Sequence, residues 1–146
     1  MPFLLALLLA AVAGTLMPVQ GALDSWLARS SSLAVATLWV HTSAAIATAL
    51  TLLVPAARGS WLGLIQAPTA AFFGGVAGVV ITWTVAAAVT RLGMVNATTG
   101  ILVAQIATAA VLDHFGWLGL ERLPFTLSRG VGALLLLMGA WLLIRH

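Results

Sequence analysis

The nine charged side chains of this chain leave five long stretches of it untouched. The stretches are 3–21, 33–54, 70–89, 94–112 and 130–144, and none holds an Asp, Glu, Lys or Arg. An ionised side chain at the centre of a membrane helix costs about 2.5–3.5 kcal/mol on insertion, and about 20 apolar residues cross the hydrocarbon core. The pattern therefore predicts an all-α integral membrane protein with five transmembrane helices, in a single membrane domain covering 1–146. Composition agrees. The 146 residues are 62% apolar and 6% charged, where a soluble domain carries roughly 25% charged residues. Too few polar groups remain to cover a globule in water, which excludes a soluble enzyme domain and a disordered tail. A surplus of three positive charges cannot track a phosphate backbone, so no nucleic-acid partner is expected. The lipid bilayer is the expected solvent.

The span ends carry further signals. The last stretch is short, and extending it back toward Phe125 places Arg129 about one turn inside, from where it snorkels to the headgroups. The start of the chain resembles a signal peptide, with Ala11-Val12-Ala13 as a cleavage pattern. It lacks a basic leading region and stays apolar through Leu16 and Val19, so retention as a membrane helix is expected. Trp26, Trp61, Trp117 and Trp141 fall in connections or near span ends, where an aromatic belt forms. Trp39 and Trp83 lie deeper, as packing bulk or as an aromatic wall of a cavity.

Five spans put the termini on opposite sides. One side then holds Arg58, Arg122 and Arg129, and the other holds Arg29, Arg91 and Arg145. Orientation follows the Lys and Arg count near span ends, and here the count ties. Three readings remain open: a single orientation set by weaker signals, insertion both ways followed by antiparallel pairing, or a separate partner chain of opposite orientation. The second builds from two copies the inverted repeat that larger transporters hold in one chain.

Polar side chains within spans need partners, so their placement informs. Thr37, His41, Thr48 and Thr51 share a face of the second span. His41 is a candidate to contact substrate or to titrate, because imidazole changes charge near neutrality; the alternative is a neutral ring bonded to a neighbouring helix. Gln105 lies near the middle of the fourth span with Thr98 and Thr108, either reading a substrate or bridging helices. Asp113 and His114 follow at its end, where Asp113 is a proton-coupling candidate or a solvated helix end. In the first span Pro18 precedes Gln20, Gly21 and then Asp24. Proline bends a membrane helix and frees a carbonyl, so Gln20 is a candidate cavity residue and Asp24 a second proton-coupling candidate. Ala70, Gly74, Gly78 and Thr82, with Gly75 beside them, form a small-residue stripe that lets another helix approach, within the chain or across a dimer.

No enzyme constellation is present. The three His are dispersed, paired acids are absent, and no cysteine is available as nucleophile or metal ligand. Neither a metal nor a cofactor is expected. Gly74-Gly75-Val76-Ala77-Gly78 lies within a hydrophobic span without a preceding strand or a Lys, so it is no nucleotide loop.

Several of these residues together resemble the YdcZ-like family of small bacterial inner-membrane proteins, part of the drug/metabolite transporter (DMT) superfamily. They are Gly74, Gly75 and Gly78; Arg91-Leu92-Gly93; Ala97-Thr98-Thr99; Ala104-Gln105; Leu112-Asp113-His114-Phe115-Gly116; and Pro124, Arg129, Gly132 and Gly139. Gly14 and Gln20 extend the resemblance to the first span. The resemblance implies a half-sized transporter in the cell inner membrane, one half of an inverted repeat that needs an opposite copy or a sibling chain. Small multidrug resistance proteins of the same superfamily exchange protons for cations on a Glu in the first span. The stretch 3–21 has no acid, so that mechanism is not expected to transfer directly.

The leading expectation is a small-molecule transporter working as an antiparallel dual-topology homodimer. Its midplane cavity would be lined by Gln20, His41, Trp83 and Gln105, and Asp24 and Asp113 would be the proton carriers. The rival expectation is a non-transporting membrane subunit that supports a partner protein, suggested by the near-absence of charge within the spans.

Overall fold

In hydrocarbon no water satisfies a backbone N–H or C=O, so an apolar run becomes a helix that satisfies them internally. The computed structural model, which describes residues 3–145, follows that rule. Its helices are α1 (Phe3–Ser30), α2 (Leu33–Thr51), α3 (Trp61–Ile65), α4 (Gly74–Leu92), α5 (Met94–Phe115) and α6 (Leu127–Ile144), with no strand among the described residues. Five helical segments are long and apolar enough to cross a membrane, the third of them counted from Thr69. The protein is an all-α membrane protein.

The helix ends depart from the charge-free stretches for local reasons. α1 continues past Gly21 to Ser30, because Ala22, Leu23, Leu27 and Ala28 are strong helix formers and one acid does not stop a helix. The break falls at Ser31-Ser32. There the Ser32 hydroxyl accepts from the Val35 N–H at 3.2 Å and starts α2. α2 ends at Thr51, short of Pro55, and Arg58 Nε donates to the Leu52 carbonyl just beyond it at 2.9 Å. Thr69–Phe73 is a turn of 3-10 helix after Pro68, so α4 begins only at Gly74. A single residue, Gly93, separates α4 from α5; its φ of 78° suits glycine. α5 stops at Gly116, which caps it in the left-handed region at φ 65°. α6 starts at Leu127, and the Thr126 hydroxyl accepts from the Arg129 N–H. Arg129 therefore sits in the first turn, as the backward extension of the last span anticipates.

The chain forms two compact units, one up to Arg91 and the other from Leu92 onward. In the first, α1 and α2 pack along each other, joined by a two-residue link that makes them antiparallel. Small residues bring α4 in. A methyl on Gly21 would stand 3.1 Å from Val85 Cγ1, and one on Gly78 would stand 3.3 Å from His41 Nε2. The buried residues here are mostly small: Gly21, Ser25, Ala36, Thr37, Thr82 and Ala86. Large apolar side chains such as Leu7, Trp39, Ile46 and Ile81 point outward. Lipid tails are as apolar as leucine, so nothing drives such side chains inward and helices meet through small ones.

In the second unit α5 and α6 form the packed pair. Their connection folds back over the end of α5. The Leu123 N–H donates to the Asp113 carbonyl at 2.8 Å, and Arg122 Nε donates to the His114 carbonyl at 3.1 Å. The Gly116 N–H donates to the Leu112 carbonyl. Three carbonyls that α5 would otherwise leave unpaired thus gain donors.

Candidate functional site

The longer first helix changes the standing of Asp24. Read from hydropathy, Asp24 lies beyond the span. In the structure it lies within α1, nearly two turns before the helix ends, and is 4% exposed. An ionisable group is costly inside a membrane and marks function by default. The first spanning helix therefore does carry an acid, contrary to the expectation drawn from 3–21.

Three elements build its surroundings. Gln20 sits one turn earlier on α1, itself exposed, with its amide reaching the Asp24 carboxyl. His41 of α2 is half-buried and close enough to act on the carboxyl's charge. The convergence follows from helix geometry. Asp24 is seven residues before the Ser31 link and His41 ten after it, so their α-carbons differ in height by about 5 Å. Side chains lean toward their own helix N-terminus. In an antiparallel pair, Asp24 leans away from the link and His41 leans toward it, which closes that difference. The two do not form an ion pair; among the described residues the single ion pair is Arg129–Asp113.

The imidazole is held in one tautomer. His41 Nδ1 lies 2.9 Å from the Thr37 carbonyl. A carbonyl only accepts, so Nδ1 carries the hydrogen and the neutral ring leaves Nε2 as its basic nitrogen. Nε2 faces Gly78 of α4, where any side chain would crowd it. Thr37 is buried beneath the ring. Ser25, fully buried beside Asp24, accepts from Arg29 Nη1 at 3.1 Å and so ties that guanidinium to the end of α1. Ser25 and the Thr37 carbonyl carry no motif; only their position, one residue from Asp24 and one turn from His41, marks them.

Of the other residues singled out by sequence, Thr48 and Thr51 are exposed further along α2. Trp83 is 43% exposed on α4, next to the buried Thr82 on an adjoining face. Gln105 is exposed on α5. Asp113 meets Arg129 Nη1 at 3.7 Å, joining α5 to α6. Among the glycines of the small-residue stripe, only Gly78 would bring an added methyl against another helix, and Thr82 one turn on is buried. A methyl added to Gly74 or Gly75 would have no neighbouring atom within 4 Å, and Ala70 is exposed in the 3-10 turn before α4. No group of three or more metal-ligating side chains exists among the described residues.

Five helices long and apolar enough to cross a membrane define a small multi-pass membrane protein. The profile of the family described as "Putative inner membrane exporter, YdcZ" matches residues 5–142. The chain belongs to this family and is a multi-pass inner-membrane protein. Transport is the activity class its family defines, which points away from an enzyme. Comparison with curated proteins gave no match, and comparison with solved structures gave none either.

Proposed function

We propose that the chain exports a small solute by alternating access, as an antiparallel pair of its own copies, with Asp24 and His41 carrying the coupling proton. One observation carries the proton site: Asp24 is a buried acid within a spanning helix, beside an imidazole whose Nε2 is left free to accept. A proton taken by either group changes the charge of a water-poor neighbourhood. A change of that kind biases one conformation over another, since a ligand shifts an equilibrium only by its different affinity for the two states. Asp113 suits the role less, because Arg129 already balances its charge at a half-exposed helix end.

The pair of copies rests on different support. The arginines divide three and three between the faces, and Gly74 and Gly75 present an open small-residue face on α4. As half of a DMT-type inverted repeat, the chain would find its second half in a copy of itself or a sibling. Trp83 in the first unit and Gln105 in the second are each exposed and available to a second copy, and Gln20 lies with His41 at the proposed proton site.

The experiment is reconstitution into vesicles loaded with a pH-sensitive dye and challenged with a panel of organic cations, organic anions, amino acids and sugars. The wild type should move protons when one of these solutes is supplied on one side, and Asp24→Asn should reduce that movement to background. A solute flux that Asp24→Asn leaves intact contradicts the proton assignment. Inactivity across the whole panel favours a supporting subunit.

A further inference from the structure

The connection between α2 and the third spanning segment, 52–68, is built neither as a span nor as a loop in water. Arg58 is its single charge. Its one α-helical turn, α3, is capped by Ser60, whose hydroxyl accepts from the Gly63 N–H at 3.1 Å. A turn of that length cannot cross hydrocarbon. Yet Trp61, Leu62 and Ile65 are 71%, 71% and 78% exposed. At spacings of one and four residues they share one face of the turn, and no described residue covers it.

Two observations fix the surroundings of that face. The first is position. Arg58 returns to the end of α2, where its Nε donates to the Leu52 carbonyl at 2.9 Å. Leu52, Arg58, Trp61 and Leu64 then line one shallow hollow, so α3 is held close to the end of a spanning helix. Only 66–68 separate α3 from the next spanning segment, which begins at Thr69. Both ends thus tie the turn to one surface of the bilayer. The second observation is backbone pairing. The N–H groups at 52–54, 57–58, 63–64 and 66–67 each donate to an acceptor no more than four residues away. Pro55 and Pro68 have no N–H to satisfy. Such local pairing suits a layer in which water is scarce.

We propose that 52–68 is an in-plane membrane anchor, with α3 lying on the bilayer and Trp61, Leu62 and Ile65 sunk between headgroups and acyl chains. An amphipathic turn settles at that depth with its apolar face down. Tryptophan favours the same boundary, and an apolar cluster left in water is poorly tolerated. Arg58, the one charge, then lies among the polar headgroups. Lipid is the occupant because α2 and the third spanning segment end in this layer, so it already surrounds the turn; a second copy would have to displace it. The inference rests on the spanning helices and is independent of the exporter reading.

The chain holds no cysteine, so a single thiol reports its own position. Leu62→Cys, Ile65→Cys and, as the comparison, Ser31→Cys in the α1–α2 link each carry an environment-sensitive nitrobenzoxadiazole label on the full chain in phosphatidylcholine vesicles. The label at 62 and 65 should emit to the blue of the label at 31. Phosphatidylcholine brominated near the top of its acyl chains should quench it, and iodide present on both sides of the membrane should reach it less than the label at 31. Replacing Trp61 and Ile65 together by Ser removes two exposed anchors; the label at 62 should then shift to the red and open to iodide. Should that variant fail to stay monodisperse, the three single-label sites decide. Iodide quenching at 62 and 65 as strong as at 31 overturns the proposal and leaves the turn in water. A label shielded from iodide yet untouched by brominated lipid also overturns it and gives the face to a second copy, as does an unchanged spectrum at 62 in the double-Ser variant. Depth is read rather than transport, so failure here is distinct from failure of the exporter reading.

Discussion

At the scale of single residues, glycines and one carbonyl set the geometry on which the proposed proton site depends. Gly21 and Gly78 admit neighbours that a methyl would push away. Gly21→Ala should cost about 1–3 kcal/mol as an overpacked contact against Val85, read as a lower unfolding temperature in detergent. Gly78→Ala should add a milder strain and displace the His41 ring, read as a changed imidazole NMR chemical shift. Gly75→Leu meets open space in the chain, so it should leave unfolding unchanged and weaken chemical cross-linking between copies. Unimpaired cross-linking would remove Gly75 from the copy–copy contact. Sequence made His41 and Gly78 visible, through a polar group in a span and a small-residue repeat. It did not show that they touch, because contact between α2 and α4 depends on how three helices pack rather than on any local pattern.

At the scale of elements, the number and kind of helices were legible because charge in hydrocarbon is so costly that its absence outlines each span. The ends were less so. Hydropathy stops at Gly21, yet α1 runs on to Ser30 because backbone hydrogen bonding and helix propensity govern termination once the chain nears the headgroups. That difference is what placed Asp24 outside the charge-free stretch in sequence and inside the helix in the structure. The caps carry the true ends. Ser32→Ala should destabilise α2 by about 1 kcal/mol, and amide-exchange protection should be lost first at its first turn. The α5–α6 ion pair should matter less to stability. Its partners are partly exposed and 3.7 Å apart, so Arg129→Gln should cost below about 1 kcal/mol. A loss of several kcal/mol in thermal unfolding would mean that the pair is far better shielded than its exposure indicates.

At the scale of the whole molecule, the arginine tie becomes a claim about assembly. On the proposed reading, this chain without a charge bias would insert in both orientations, and two opposite copies would supply the two halves of an inverted repeat. Adding two arginines to one face should lock the orientation, and a copy locked the other way should restore proton movement that neither has alone. The absence of cysteine gives the most direct measurement of this central claim. Ser31→Cys, in the exposed α1–α2 link, would be the only thiol in the chain. Labelled in intact cells with a membrane-impermeant maleimide, and again after permeabilisation, it should react in about half of the molecules in the first case and in all of them in the second, the division that a three-to-three arginine split implies. Labelling of all molecules, or of none, before permeabilisation would contradict the antiparallel pair of identical chains.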